Sequence, residues 1–205
     1  MEIEETVFKA IKEGLEAYIK TSGPLLAKRE YHNSTIWTKR IRGITENAFL
    51  TMNVPGWNSS KLAFADEWFR IDTLLLECSY DNPSGNPVRY KDATTDGCTF
   101  WAYESKLRVA AEYENDKNLW CDEVDKLSHI RCDLKVLISY SNAKGSSLDY
   151  YGLLNEKVKV ANRCISNSES AALADKWLLV FLPNNELDLN KLVAYKMDNK
   201  VFKRL

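Results

Sequence analysis

Strand-like and helical segments alternate along residues 64–205, and this alternation is the feature that most limits the folds open to the chain. Residues 133–140 contain the apolar run Val136-Leu137-Ile138, which is typical of a strand buried on both faces. Amphipathic helical patterns precede and follow this segment. Strands separated by helices in this way predict an α/β fold in which a mixed central sheet is flanked by helices.

The periodicity of apolar residues places the individual elements. Helices are predicted over residues 2–20, 34–42, 118–130 and 148–165. Strands are predicted over residues 68–78, 98–104, 107–114, 133–140, 177–182 and 192–197, with a last hairpin that turns at Asp198-Asn199 into residues 201–205. We expect residues 1–205 to form a single domain, with a helical part over residues 1–63 packed on an α/β core over residues 64–205.

Three acidic residues lie inside predicted strands, where apolar residues are expected. Asp72 is surrounded by apolar neighbours, and Glu112 and Glu114 share one face of their strand because strand side chains alternate. Like charges on a partly buried strand are costly unless a positive group offsets them. A divalent cation such as Mg²⁺, which prefers carboxylate oxygens, would do so. The alternative is a solvent-facing strand end that carries unrelated acids.

The predicted helix after the acidic strand carries a lysine beside its apolar stripe. Glu123 and Lys126 are i,i+3 neighbours next to Trp120, Val124 and Leu127. If the stripe packs on the sheet, Lys126 can approach the carboxylates, where it would orient or help deprotonate an attacking water. The alternative is a surface Glu123–Lys126 pair that contributes only about 0.5 kcal/mol.

Taken together, these residues resemble the PD-(D/E)XK nuclease superfamily, whose fold is the restriction-endonuclease-like fold, over residues 64–140. That family places one acid on a strand, an acid-x-lysine on the next strand, then a helix and a further strand. Asp72 matches the first acid and Glu112 the second. Glu114 stands where the lysine usually lies, which gives a Glu-x-Glu variant, and Lys126 resembles a lysine that has migrated to the following helix.

The resemblance implies a metal-dependent endonuclease that acts on DNA, in restriction or DNA processing. It implies Mg²⁺ or Mn²⁺ held by Asp72, Glu112 and Glu114. Lys126 would then assist the attacking water, and Glu123 would position Lys126 or its helix. Restriction-like enzymes often dimerise to cut both strands, so a homodimer is one of the implied assemblies.

Further candidates lie on either side of this motif. Glu67 resembles an additional acid that some members carry ahead of the first motif. Asp133-Leu134-Lys135 is literally Asp-x-Lys and could form a second register, with Glu112 or Glu114 as the leading acid. Asp133 follows the helix, however, where the fold places its next core strand. Asp133 and Lys135 are therefore secondary candidates.

Two other functions stay open at this point. The missing strand lysine at Glu114 favours a catalytically inactive member of the fold that serves as a nucleic-acid-binding or assembly module. An unrelated α/β enzyme could also use the acids as general acid and base without a metal. Nucleotide binding by a glycine-rich phosphate loop has no support, because the chain contains no such motif.

The charges of the chain balance, with 28 Lys+Arg against 29 Asp+Glu, but they are unevenly distributed. Residues 64–125 hold fourteen acidic and six basic side chains, whereas residues 21–42 and 191–205 each hold five basic and one acidic. An acidic centre between basic segments suits a metal-dependent nuclease that contacts phosphates, although ordinary solvated surface is the alternative. The candidate nucleic-acid contacts in the first basic segment are Lys28, Arg29, Lys39, Arg40 and Arg42.

The chain shows no sign of secretion or membrane insertion. Its first residues, 1–5, are acidic and lack the apolar region of a secretory signal, and its longest strongly apolar run, residues 177–182, is too short to span a bilayer. Five scattered cysteines without a CxxC pair fit reduced thiols. We therefore expect a cytoplasmic protein without a membrane segment.

Overall fold

A computed structural model describes residues 2–68, 70–78, 88–91, 106–114, 120–141, 149–167, 176–183 and 187–205, with side chains described except at 66–68 and 88–91. Its centre is an eight-stranded mixed sheet. The helices are α1 (Ile3–Ser22), α2 (Pro24–Tyr31), α3 (Ser34–Thr51), α4 (Trp120–Ser128) and α5 (Tyr150–Asn167). The strands are β1 (Leu62–Trp68), β2 (Ile71–Glu77), β3 (Val88–Lys91), β4 (Lys106–Glu114), β5 (Leu134–Ser141), β6 (Lys176–Pro183), β7 (Val193–Asp198) and β8 (Val201–Arg204).

The strand order is β3-β1-β2-β4-β5-β6-β7-β8, with β4, β5 and β6 parallel to one another at the centre. β1, β2 and β4 are joined by antiparallel pairings, as are β6, β7 and β8. Parallel neighbours need crossover connections, and α4 and α5 lie in those between β4, β5 and β6. The predicted α/β fold with a mixed central sheet flanked by helices is confirmed.

The two faces of the sheet pack against different helices. Val109, Ala111 and Tyr113 of β4 join the core formed with α1, α2 and α3, whereas Ala110 joins the core formed with α4 and α5. Since strand side chains alternate, the even-numbered residues of β4 face α4 and α5. Glu112 therefore lies on the face of the sheet that is covered by α4 and α5. No helix within the described ranges is long and apolar enough to cross a membrane.

The helical part of the chain is more extensive than its pattern predicts. The helix predicted over residues 2–20 is confirmed as α1, and the one predicted over residues 34–42 continues to Thr51 as α3. α2 was not predicted, because Gly23-Pro24 reads as the end of a helix. Gly23, with φ 79, ends α1, but Pro24 occupies the first turn of α2, where its missing N–H costs nothing.

The strand predicted over residues 68–78 is found as β2, but residue 68, where it was expected to begin, is the last residue of a preceding strand, β1, that was not predicted. β1 ends at Trp68 and β2 begins at Ile71, with Arg70 at φ 63 in the turn. β1 begins at Leu62, so the expected boundary between residues 63 and 64 falls inside a strand. The strand predicted over residues 98–104 lies outside the described residues.

The C-terminal hairpin is confirmed. β7 and β8 pair through Asp198↔Val201, and Asn199 (φ 51) and Lys200 (φ 65) form the turn between them. Positive φ at both central residues is the geometry that a two-residue hairpin needs, and Asn adopts it readily.

Candidate active site

Asp72 and Glu112 lie opposite each other in the antiparallel pairing of β2 and β4. Thr73 is paired with Ala111, and the next step of that register brings Asp72 to Glu112. Directly opposed residues of an antiparallel pair project from the same face. Asp72 Oδ2 also accepts a hydrogen bond of 2.9 Å from the backbone N–H of Tyr113, which fixes the carboxylate against β4. The pairing therefore joins two of the acids that the sequence singled out.

Glu112 is a buried carboxyl group, with 2 % of its surface exposed. Burial, together with the nearby charges of Asp72 and Glu123, raises the pKa of Glu112 to about 9, although Lys126 opposes the increase. Such a carboxyl group sits where negative charge is crowded and poorly solvated. A cation bound beside it would relieve that cost.

Lys126 reaches the carboxylates from α4, as its position beside the apolar stripe predicted. Its Nζ lies 2.6 Å from Glu112 Oε1, forms an ion pair with Glu123, and donates a 2.7 Å hydrogen bond to the carbonyl of Arg70 in the β1–β2 turn. Burial disfavours the ammonium, but the hydrogen bonds to both carboxylates prevail and raise the pKa of Lys126. Lys126 therefore stays charged near neutral pH.

The apolar stripe of α4 is what holds this lysine in place. Trp120, Val124 and Leu127 are all buried against the sheet and α5. Glu123, with 18 % of its side chain exposed, lies between the stripe and solvent and binds Lys126 from the same helix. The Glu123–Lys126 pair is therefore part of a three-residue cluster with Glu112, and not an isolated surface pair.

Glu114 lies at the end of β4, on the same face as Glu112, and has a different neighbour. The parallel register aligns Glu114 with Ser139 of β5. Lys157 of α5 donates hydrogen bonds to the carbonyl of Tyr140 at 2.7 Å and to Ser139 Oγ at 3.3 Å. Burial lowers the pKa of Lys157 to about 8, against the charge of Glu114, which raises it. Glu114 thus faces a second lysine, which the sequence analysis did not identify.

A sequence signal for Lys157 exists. It lies three residues after Leu154 and four before Ala161, at helical spacing from both, and next to Val158 in the buried stripe of α5. A lysine on the apolar side of an amphipathic helix has to place its ammonium on polar groups at the rim of the core. That position distinguishes Lys157 from the exposed Lys159 on the same helix.

Asp133 belongs to a different cluster, at the beginning of β5. Its Oδ2 accepts hydrogen bonds from Trp57 Nε1 at 3.0 Å and from Arg108 at 2.6 Å. Arg108 also pairs with Glu77 at 2.6 Å and donates to the carbonyl of Gly56. Asp133 therefore helps to anchor the loop after α3, and the structure does not bring it to Glu112 or Glu114.

Lys135 is fully buried under α4 and α5, with its Nζ 4.9 Å from the Trp177 ring centre and 3.4 Å from the carbonyl of Ser128. These contacts hold it inside the core. The side chain of Glu67, the additional acid of the resemblance, lies outside the described residues.

The predicted phosphate contacts of α2 and α3 lie on the opposite face of the sheet from Glu112. Lys28, Arg29 and Lys39 are exposed there. The Tyr31 hydroxyl of α2 donates to the carbonyl of Pro183, at the carboxyl end of β6. β4, β5 and β6 are parallel, so Glu114 at the carboxyl end of β4 and Pro183 at the carboxyl end of β6 lie at the same edge of the sheet. These basic residues therefore lie towards the same end of the sheet as the acidic site.

Arg40 and Arg42 already form ion pairs within the protein. Arg40 pairs with Glu30 at 3.2 Å. Arg42 pairs with the buried Glu46 at 2.9 Å, and Glu46 in turn accepts a hydrogen bond from Thr73. A phosphate would have to compete with these ion pairs, so Lys28, Arg29 and Lys39 are the better placed of the five candidates.

The fit of a divalent cation rests on two carboxylates. Among the described residues, no group of three His, Cys, Asp or Glu side chains is arranged to hold a metal ion. Mg²⁺ is commonly held by one or two carboxylates together with waters and substrate phosphate. The opposed Asp72 and Glu112 meet that requirement, and a cation beside them would favour the ionised form of Glu112, whose pKa is raised by burial and by Asp72. Glu114 faces Lys157 instead.

Comparison with known proteins identifies no relative: no family model, no curated protein and no solved structure matches the chain.

Proposed function

We propose that this protein is a Mg²⁺-dependent nuclease that hydrolyses phosphodiester bonds in DNA and has the restriction-endonuclease-like fold that its motif resembles. The observation that carries the proposal is the Asp72–Glu112–Lys126 cluster, in which a buried carboxyl group faces a second carboxylate and is contacted by a lysine. Mn²⁺ would serve in place of Mg²⁺, since both are hard cations that take oxygen ligands.

The order of the elements supports the proposal. Asp72 lies on β2, Glu112 on the neighbouring β4, Lys126 on the helix that follows, and β5 comes next beside β4. This is the order of first acid, second acid, helix and further strand that the PD-(D/E)XK resemblance implies, with the lysine on the helix.

Each residue of the cluster has a role that its environment favours. Asp72 and Glu112 would hold the cation, which supplies polarisation of the phosphate and a lower pKa for bound water. Lys126, whose pKa is raised, stays protonated and donates hydrogen bonds, so it orients the attacking water and does not remove its proton. Glu123 positions Lys126 from the same helix.

The decisive experiment measures cleavage of plasmid and of labelled oligonucleotide DNA with Mg²⁺, Mn²⁺ or EDTA. Wild-type protein is expected to cleave only with metal, and Glu112→Gln and Asp72→Asn to lose about 100-fold or more in rate, since a bound cation contributes several kcal/mol to the transition state. Glu13→Gln is the matched control, because Glu13 is 63 % exposed and lies on α1, which packs on the other face of the sheet from Glu112. Wild-type levels of cleavage by Glu112→Gln would overturn the assignment.

A second function, a catalytically inactive nucleic-acid-binding or assembly module, is favoured by one observation. The Lys126 ammonium already contacts Glu112 at 2.6 Å, so it supplies part of the positive charge that the acids need. Calorimetry separates the two functions. Mg²⁺ or Mn²⁺ binding that is lost in Asp72→Asn supports the nuclease, whereas DNA binding without any metal binding supports the module.

DNA is the proposed partner, and a homodimer is the proposed assembly for cleavage of both strands, which sedimentation with and without duplex DNA would measure. The proposed compartment is the cytoplasm. The described cysteines are all free thiols, as a reducing compartment maintains them: Cys78, Cys121, Cys132 and Cys164.

A further inference from the structure

The two lysines near the acidic residues, Lys126 and Lys157, differ in the groups that contact their ammonium. Lys126 contacts the carboxyl groups of Glu112 and Glu123 at once, and the carboxylate of Glu123 offsets its charge within the protein. A lysine whose charge is offset in this way attracts a phosphate less strongly than a lysine without an acidic partner. The recognition of substrate phosphate therefore calls for another cation at this end of the sheet.

Lys157 is held differently from Lys126. Its hydrogen-bond acceptors are the carbonyl of Tyr140 and the hydroxyl of Ser139, both neutral. Within the part of the chain that the structure describes, no carboxylate lies within ion-pair distance of its Nζ, although Glu114 is near enough to act on it electrostatically. An ammonium has three N–H donors, and these two bonds use two of them.

Aromatic rings hold the Lys157 ammonium in place. Its Nζ lies 4.9 Å from the ring centre of Trp120 and 5.7 Å from that of Phe181. Cation–π contacts with two rings attract the ammonium without neutralising its charge. The ammonium is therefore confined in position and half-buried, where water screens it less than it would at an exposed site.

We propose that Lys157 is a phosphate-binding residue of this site, and that it contacts a phosphodiester oxygen of the bound DNA strand beside the Asp72–Glu112 pair. The position fits, because Lys157 bonds to the end of β5 next to Ser139, and Ser139 is aligned with Glu114 at the end of the acid-bearing strand. The identification of the phosphate with DNA rests on the proposed function. The phosphate chemistry itself rests on the charge and confinement of Lys157.

The first test measures DNA affinity by fluorescence anisotropy in EDTA, between 50 and 200 mM salt, so that metal and cleavage play no part. Each lysine–phosphate contact to duplex DNA contributes about 0.9 to the slope of log K against log salt. Lys157→Met and Lys157→Gln are expected to lower the slope by about that amount, and Lys157→Arg to restore most of it. Lys159→Met removes a charge from the exposed side of the same helix and is expected to leave the slope unchanged.

The second test uses inorganic phosphate and thymidine 5′-monophosphate in an NMR titration. We expect saturable shifts of the Ser139 and Lys157 amides in wild-type protein, absent in both Lys157→Met and Lys157→Gln and retained in Lys159→Met. Thermal melts identify the neutral variant that folds as wild type does. Either neutral variant is sufficient for both tests.

The outcomes separate this inference from the proposed function. Metal-dependent DNA cleavage by wild-type protein, combined with an unchanged salt slope in the folded neutral variant, would overturn the role of Lys157 and leave the nuclease in place. Phosphate shifts that depend on Lys157, without DNA binding or cleavage, would support the phosphate site and overturn the nuclease. No phosphate shift and no change in slope would overturn the site.

Discussion

Replacement of Glu112 by Gln tests whether this buried carboxyl group costs the fold stability. Gln has nearly the same shape and accepts a hydrogen bond from Lys126, but it does not ionise. The charged groups that face Glu112 are Asp72 from β2 and Glu123 and Lys126 from α4. All three are retained in the variant, so the comparison isolates the ionisation of one side chain.

The pKa of Glu112 sets the size and the sign of the effect. Burial and the neighbouring acidic charges raise it from 4.5 to about 9, so between these pH values the folded protein binds a proton that the unfolded chain has released. Stability from this group is therefore full at low pH and is lost as pH rises. Each pKa unit corresponds to about 1.36 kcal/mol, which gives a loss on the order of 5 kcal/mol between pH 5 and pH 9.

Urea unfolding of both proteins at pH 5, 7 and 9 measures this effect. The free energy of unfolding of Glu112→Gln should match that of wild type near pH 5 and exceed it by several kcal/mol at pH 9, with equal m-values. Saturating Mg²⁺, at about 100 times its Kd, should add about 2.7 kcal/mol to wild type and nothing to the variant. A difference in stability that is the same at all three pH values would refute the reasoning.

Three further substitutions have effects that the contacts define. Gly14→Ala would place a Cβ 2.7 Å from Ile44 Cγ2 and should destabilise the α1–α3 contact by about 1–3 kcal/mol. The effect is measured as a lower Tm, and an unchanged Tm would contradict the close approach. Arg108→Met leaves the carboxylates of Glu77 and Asp133 without their cation and should lower the free energy of unfolding in urea by about 3 kcal/mol. A decrease below about 1 kcal/mol would show that the cluster contributes little to stability. Asp133→Asn should lower stability but leave metal-dependent DNA cleavage unchanged; a loss of cleavage in folded Asp133→Asn would support the second register instead.

Prediction from the sequence was most successful where one local pattern determines both the secondary structure and the direction of the side chains. The apolar stripe of α4 has a single way to pack on the sheet, and that packing brings Lys126 to Glu112. The alternation of β4 likewise puts Glu112 and Glu114 on one face. In both cases the side-chain direction follows from periodicity alone, so the fold class and part of the candidate site were predictable.

The remaining features depend on distant partners. Asp133-Leu134-Lys135 matches a motif by its letters, but Arg108 and Trp57, far away in the chain, decide where Asp133 binds. β1 was not predicted, and the strand predicted over residues 68–78 begins before the turn between β1 and β2. That turn contains no glycine or proline to mark it, and Arg70 adopts the positive φ instead. Turn conformations of this kind are set by the pairing of the flanking strands, which local residue preferences do not reveal.

The contacts of Glu112, Lys126 and Lys157 explain how charged groups are accommodated inside the core of this α/β fold. Glu112 is too deeply buried to be solvated, so its ionisation depends on Lys126 and on any cation that Asp72 helps to hold. In the proposed nuclease, Lys126 would contribute to that charge balance and not to the binding of substrate phosphate. Lys157 is held by neutral acceptors and aromatic rings and adds a positive charge that no described carboxylate offsets at close range. Carboxylates that need a cation and an ammonium that lacks an anion, at the same end of one sheet, are complementary to a phosphodiester with its bound metal ion.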